Sequence, residues 1–188
     1  MDKIPIEVSA RHVHLSQKDL EILFGKGYEL KKLKQLSQPS DFACHETADI
    51  QVGSKKIEKV RIVGPLREQT QVEISKTDAV FLDVNPPVCL SGDLSDSCGI
   101  KLIGPNGEVD LEKGLIIALR HIHCAKSEAK VIGLKDKDAV AVKIDSNRPV
   151  TFYDVLVRVR DDYKLCMHID TDEGNAAGIN KIGAGQIL

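Results

Sequence analysis

Apolar and polar residues alternate with period two along much of this chain, and no other feature constrains its fold as strongly. Ile4, Ile6, Val8 and Ala10 take turns with Pro5, Glu7, Ser9 and Arg11, which makes one face of the first segment apolar. The pattern returns at 57–63, 70–74, 78–84, 139–144 and 154–159. Turn signals separate these segments: Gly53-Ser54, Gly64-Pro65, Asn85-Pro86-Pro87, Gly104-Pro105-Asn106-Gly107 and Asn147-Arg148-Pro149. Many short strands at such spacing predict a mainly β chain, a barrel or a sandwich rather than a βαβ protein. Helices are few. Ser16-Gln17-Lys18-Asp19 reads as a capping box, Leu20, Leu23 and Phe24 form an apolar stripe, and Gly25 stops the turn. The Lys-rich stretch 25–45 is irregular and reads as a small excursion or lid.

The chain also resembles itself. Ala10-Arg11-His12-Val13-His14 returns as Leu119-Arg120-His121-Ile122-His123, each time after a strand, and a short helical stretch follows. A duplicated small barrel is the simplest explanation, giving two β-barrel domains capped by short helices. Residues i and i+2 of a strand share a face, so each pair of imidazoles points one way. By parity the first pair continues the apolar row Ile4, Ile6, Val8, Ala10, and the second continues Leu115, Ile117, Leu119. The two pairs account for four of the six histidines, and neutral imidazole is a common zinc ligand. The five cysteines are scattered with no CxxC pair, so they read as reduced thiols rather than a structural zinc site. Open, catalytic metals fit better, with His168 in Leu165-Cys166-Met167-His168-Ile169 as a further ligand.

Other residues suit an anionic substrate. After the Gly64-Pro65 turn, Arg67 offers a guanidinium fork for an oxyanion such as phosphate, and Glu73 could complete a metal shell. The segment from Asp170 to Gly178 reads as an acidic, glycine-rich loop without calcium-loop spacing. Walker, dinucleotide and Gly-x-Ser-x-Gly patterns are missing. A net charge of −2 gives no support to nucleic-acid binding, and no run approaches the ~18 apolar residues of a membrane helix. Strand-like sequence begins at Ile4, leaving no room for a secretory signal and pointing to a cytoplasmic protein.

Four motifs occur here in one order: 8–16 with its Arg-His-x-His, Gly64-Pro65-x-Arg67-x-x-Thr70-Gln71-Val72-Glu73, Arg120-His121-Ile122-His123, and His168 with Asp172-Glu173-Gly174-Asn175. Together they closely resemble the phosphate propanoyltransferase family of phosphotransacylases associated with bacterial microcompartments, over nearly the whole chain. The resemblance implies transfer of a propionyl or acetyl group between coenzyme A and phosphate at a dinuclear zinc site, with two zinc ions per chain. It implies one barrel from 1–10 plus 119–188 and another from 11–118, with a lid at about 25–45. It assigns His12, His14 and Glu73 to one zinc, and His121, His123 and His168 to the other. Arg67 falls on the phosphate-binding arginine, and Ser9, Lys34, Arg61, His168 and Asn175 on coenzyme A contacts. A homodimer is expected. No N-terminal targeting extension precedes Ile4, which leaves entry into a microcompartment open. A dinuclear zinc hydrolase and a non-catalytic, metal-stabilised binding module are the rival readings of the residues.

Overall fold

The structure, a computed structural model, describes residues 3–188; Met1 and Asp2 lie outside the described residues. In chain order the elements are β1 (Lys3–Ser9), β2 (His12–His14), α1 (Gln17–Phe24), β3 (Lys32–Gln35), β4 (Phe42–Val52), β5 (Lys55–Gly64), β6 (Gln71–Glu73), α2 (Lys76–Leu82) and β7 (Val88–Cys89). They continue with β8 (Cys98–Ile103), β9 (Glu108–Ala118), β10 (His121–Cys124), α3 (Lys126–Ile132), β11 (Ala139–Asp145), β12 (Thr151–Val159), β13 (Cys166–Asp170), α4 (Thr171–Ala176) and β14 (Ile182–Ile187). The chain is mainly β, as the alternation predicts. It divides into one unit of Met1–Ala10, Ser37–Pro39 and Leu119–Leu188, and another of Arg11–Leu36 and Ser40–Ala118.

The first unit is a closed barrel in the order β1-β13-β10-β12-β11-β14. Ile4, Ile6, Ile122, Val142, Ile144, Val155, Val157, Met167 and Ile169 fill it. In the second unit the ring runs β4-β5-β2-β6-β9-β8 and closes where β8 pairs with β4. Val13, Leu15, Ile50, Ile62, Val72, Leu102 and Leu115 fill that barrel. Burying each such side chain contributes about 1.5–3 kcal/mol, so the apolar face of every strand is what closes the two rings.

The two barrels are the same ring. β2 has β5 parallel on one side and β6 antiparallel on the other, while β10 has β12 parallel and β13 antiparallel. The remaining pairs also match in sense: β4–β5 with β11–β12, β4–β8 with β11–β14, β8–β9 with β1–β14, and β6–β9 with β1–β13. A short helix follows each His-x-His strand (α1, α3) and each antiparallel neighbour (α2, α4). β1 therefore corresponds to β9, and each of these strands runs along the chain into the His-x-His strand of the other unit.

That connection corrects the expected parity. The histidines do not continue a core-facing row, because β1 ends at Ser9 and β9 at Ala118, and the next strand belongs to a different sheet. Across the break the alternation starts afresh. Val13 and Ile122, both fully buried, face the barrel interiors, and the imidazoles on either side of each take the opposite face.

Two further readings are corrected. Residues 78–84, read as a strand, lie mostly in α2: Ser75 caps the helix through a capping box with Asp78, and Ala79 and Leu82 bury one face at helical spacing. The segment 170–178, read as a loop, contains α4, whose capping box joins Asp170 and Glu173. α1 forms as predicted, with Gly25 at φ +108 ending it, a conformation that other residues rarely adopt. Ser16 Oγ caps it by accepting from the Asp19 N–H at 3.2 Å, but the reciprocal half of the box is diverted. Asp19 Oδ2 accepts from Ser16 Oγ (2.9 Å) and Thr70 Oγ1 (2.5 Å), and the Ser16 N–H donates to Thr70 Oγ1 (2.9 Å). The excursion at 25–45 contains β3, which pairs antiparallel with β4 and exposes its Lys32 and Lys34 side chains.

Candidate functional site

In the second unit, β2 and β6 place His12 opposite Glu73 and His14 opposite Gln71. The ligand atoms of His12, His14 and Glu73 lie within 4.8 Å of one another. His14 Nδ1 is 3.0 Å from Val63 O, and a carbonyl only accepts, so the proton sits on Nδ1 and Nε2 carries the lone pair. Arg67 Nη2 donates to that Nε2 at 2.8 Å. Burial, then the neighbouring His12 and Arg67, holds the His14 pKa well below the ordinary imidazole value. Glu73 is buried, which by itself would raise its pKa. His12 and His14, the Ser91 hydrogen bond and Arg67 outweigh that and hold it at about 2. A neutral imidazole and an ionised carboxylate are the forms a metal requires.

The first unit repeats the arrangement. β10 and β13 set His121 opposite His168 and His123 opposite Cys166. Thus His168 stands where Glu73 stands in the other ring, so each ring offers two imidazoles from one strand and a third donor from its antiparallel neighbour. Ring centroids are 4.6 Å apart for His121–His123, 4.9 Å for His123–His168 and 5.4 Å for His121–His168. His121 Nδ1 lies 2.8 Å from Leu119 O, which again places the proton on Nδ1. Gln38 orients His168: its amide donates to Lys164 O (3.0 Å) and accepts from Lys164 N (3.1 Å), which turns Nε2 toward His168 Nε2 at 3.3 Å. Both ring nitrogens of His123 are buried without a hydrogen-bond partner, although the ring stacks on Tyr163 at 4.0 Å. An imidazole donor or acceptor buried without a partner costs about 1–3 kcal/mol unless something binds it, and three imidazoles are a ligand set that suits zinc. His12, His14 and Glu73 are gathered closely enough to fit a metal, whereas in the first unit the ligand atoms that gather with His168 within 4.8 Å are those of Glu7 and Cys166.

The arginine of each repeat has a matching role. Arg11 grips Asp78, the capping-box acid of α2, at 2.6 and 2.9 Å, while Arg120 Nη1 donates to Glu173, the capping-box acid of α4, at 2.8 Å. Each arginine thus ties the start of its His-x-His strand to the helix that follows the third-donor strand.

Comparison with known proteins decides the family. The model of the phosphate propanoyltransferase family matches residues 5–180. The chain belongs to the phosphate propanoyltransferase family. A phosphate propanoyltransferase of Thermotoga maritima is 56% identical over 179 residues, covering 94% of this chain and 85% of its own. Those of Lachnoclostridium phytofermentans and Listeria monocytogenes are 50% and 45% identical, each covering 98% of this chain and 85% and 87% of their own. The protein is accordingly an enzyme of the acyltransferase class.

The residues that the family resemblance assigns to coenzyme A fall in several places. Ser9 ends β1 opposite Asp170, Lys34 is exposed on β3, and Asn175 is exposed on α4. Arg61, beside His12 across β2 and β5, gives Nη1 to Cys44 O (2.9 Å) and His45 O (2.8 Å), so it also has a structural role. Sequence reasoning missed Gln38, Gln71, Ser91, and the pair Glu7 and Cys166, whose ligand atoms gather with those of His168 within 4.8 Å. Cross-strand register brings Glu7 beside His168, and no local pattern announces it.

Proposed function

We propose that this enzyme is a zinc-dependent phosphotransacylase that interconverts acyl-CoA plus phosphate with acyl phosphate plus coenzyme A, for propionyl or acetyl groups. The observation that carries the reading is the guanidinium of Arg67 at 2.8 Å from a metal-ready nitrogen of His14, a cation for phosphate set beside a ligand set for a metal. His12, His14 and Glu73 would hold one zinc, and His121, His123 and His168 the other, making the dinuclear complement. When bound, zinc supplies Lewis-acid stabilisation of the negative charge that builds on the acyl oxygen or on the leaving sulfur.

The chain's own residues supply the rest. Arg67 holds the phosphate by paired N–H donors and offsets its charge as it approaches a second anion. A phosphate oxygen forms the new bond to the thioester carbonyl carbon, the carbon–sulfur bond breaks, and the thiolate leaves with the electron pair. Direct transfer needs no nucleophilic serine or cysteine. Ser9, Lys34, Arg61, His168 and Asn175 would contact coenzyme A, and the 25–45 excursion would act as a lid over it. We place the enzyme in the cytoplasm, or with a microcompartment, as a homodimer.

The test is an assay of purified protein with propionyl and acetyl phosphate plus coenzyme A, with zinc measured on the same sample. Acyl-CoA formation at one zinc for each ligand set, lost on chelation, is the expected result. Metal-dependent hydrolysis without transfer to coenzyme A would overturn the transferase reading.

A further inference from the structure

Ser91, in the segment after β7, sits at the junction of two groups that the proposed reaction uses separately. Its hydroxyl donates to Glu73 Oε1 at 2.7 Å and accepts from Arg67 Nη1 at 3.1 Å and from Gln71 Nε2 at 3.0 Å. One donor and two lone pairs are all a serine hydroxyl has, so it is saturated. The direction of each bond is fixed by the partners. An ionised carboxylate only accepts and a guanidinium only donates. Gln71, 1% exposed, is locked as well: its Oε1 accepts from the Gly92 N–H at 2.8 Å, which turns Nε2 toward Ser91 and toward Glu73 Oε1 at 2.5 Å. Glu73 Oε1 therefore accepts from two neutral donors, while Oε2 faces His12 Nε2 at 3.5 Å.

We propose that Ser91, braced by Gln71, is a positioning residue that couples the metal-ligand carboxylate of Glu73 to the phosphate-binding guanidinium of Arg67. It commits one carboxylate oxygen and leaves Oε2 aimed into the ligand set. It also gives Arg67 an acceptor that a metal on His14 Nε2 does not displace. Metal binding and phosphate binding then depend on one hydroxyl. Partners of this kind around a metal ligand typically change affinity by about 10–100-fold when removed. The inference rests on the transferase reading for its phosphate half, whereas its metal half can be read without turnover.

The experiment compares Ser91→Ala and Ser91→Thr with the unchanged protein, with far-UV circular dichroism to establish that each is folded. Zinc affinity is measured by competition with a chromophoric chelator, the visible spectrum is recorded after cobalt substitution, and KM is measured for acyl phosphate and for coenzyme A. For Ser91→Ala we expect zinc affinity to fall roughly tenfold or more. We also expect a changed cobalt spectrum, and an acyl-phosphate KM that rises while the coenzyme A KM holds. Ser91→Thr, which keeps the hydroxyl, restores all three. Zinc affinity and cobalt spectrum unchanged in a folded Ser91→Ala protein would overturn the coupling, as would equal rises in both KM values. Absence of phosphate-linked transfer in the unchanged protein would instead fall on the functional reading, and chelator competition and the cobalt spectrum would still decide the metal half.

Discussion

Arg67 is held from both ends of its own side chain. Its backbone N–H donates to Leu15 O at 2.9 Å, and its guanidinium meets His14 and Ser91. Replacing it with Ala should lower kcat/KM for acyl phosphate about a hundredfold, equal to about 2.7 kcal/mol of transition-state stabilisation. Zinc content, measured by elemental analysis on the same sample, should stay near that of the unchanged protein. Loss of metal together with the arginine would mean that it serves the ligand set rather than phosphate. Cys44 makes a different case. Burial, then the charge of Glu46, pushes its thiol up to about 11 from an ordinary value of 9.0. Between those values the unfolded chain has released the proton and the folded chain has not, so stability falls as pH rises through that window. Melting temperatures taken at about pH 8 and pH 10 should show this loss, and Cys44→Ala should reduce it.

Helix α2 illustrates how an element resists a reading from its own residues. Alternation in 78–84 looks like a strand, but Ser75 and Asp78 satisfy the first free N–H groups of a helix, and Arg11 grips the same carboxylate. The bidentate contact is half exposed on the arginine side, so most of the loss in Asp78→Ala should come from the cap. We expect about 1–2 kcal/mol of destabilisation by urea unfolding, with an unchanged slope against denaturant. α1 was legible because its signals are local: Ser16, the Leu20 and Leu23 stripe and Gly25 fall within one turn or two. The diversion of its cap through Thr70 was not legible, since Thr70 reaches Ser16 only through the packing of a distant segment.

The whole molecule repeats one six-strand ring, and the repeat extends further than the Arg-His-x-His copies suggest. Strand senses, helix positions, the arginine-to-cap contacts and the third donor all correspond, although Glu73 in one ring is His168 in the other. Each ring with a bound metal gains stability as RT ln(1 + [metal]/Kd), about 2.7 kcal/mol at a hundredfold excess over Kd. Chelation should therefore lower the melting temperature as well as abolish turnover, and added zinc should restore both. Calorimetry before and after chelation checks this. If only turnover were lost, the metal would not be joined to the folded strands. A cavity in one core, as in Ile122→Ala, should cost about 2–5 kcal/mol without touching any donor atom.

Residue types and short-range spacing by themselves determined a mainly β chain, the paired His-x-His motifs, and the match of motifs to a family. Those properties are local, because a strand needs its apolar face and a ligand its chemistry wherever the chain places them. Tertiary structure decided which face the histidines take. A break in the strand at Ala10 and again near Leu119 resets parity, and an apolar interior accepts Val13 and Ile122 in place of imidazoles. It also decided which residues meet. Glu73 reaches His12, and His168 reaches His121, through antiparallel register between segments far apart in sequence. Ser91 joins Glu73, and Gln38 joins His168, by hydrogen bonds that exist only once the chain has folded, because each partner arrives on a different strand or turn.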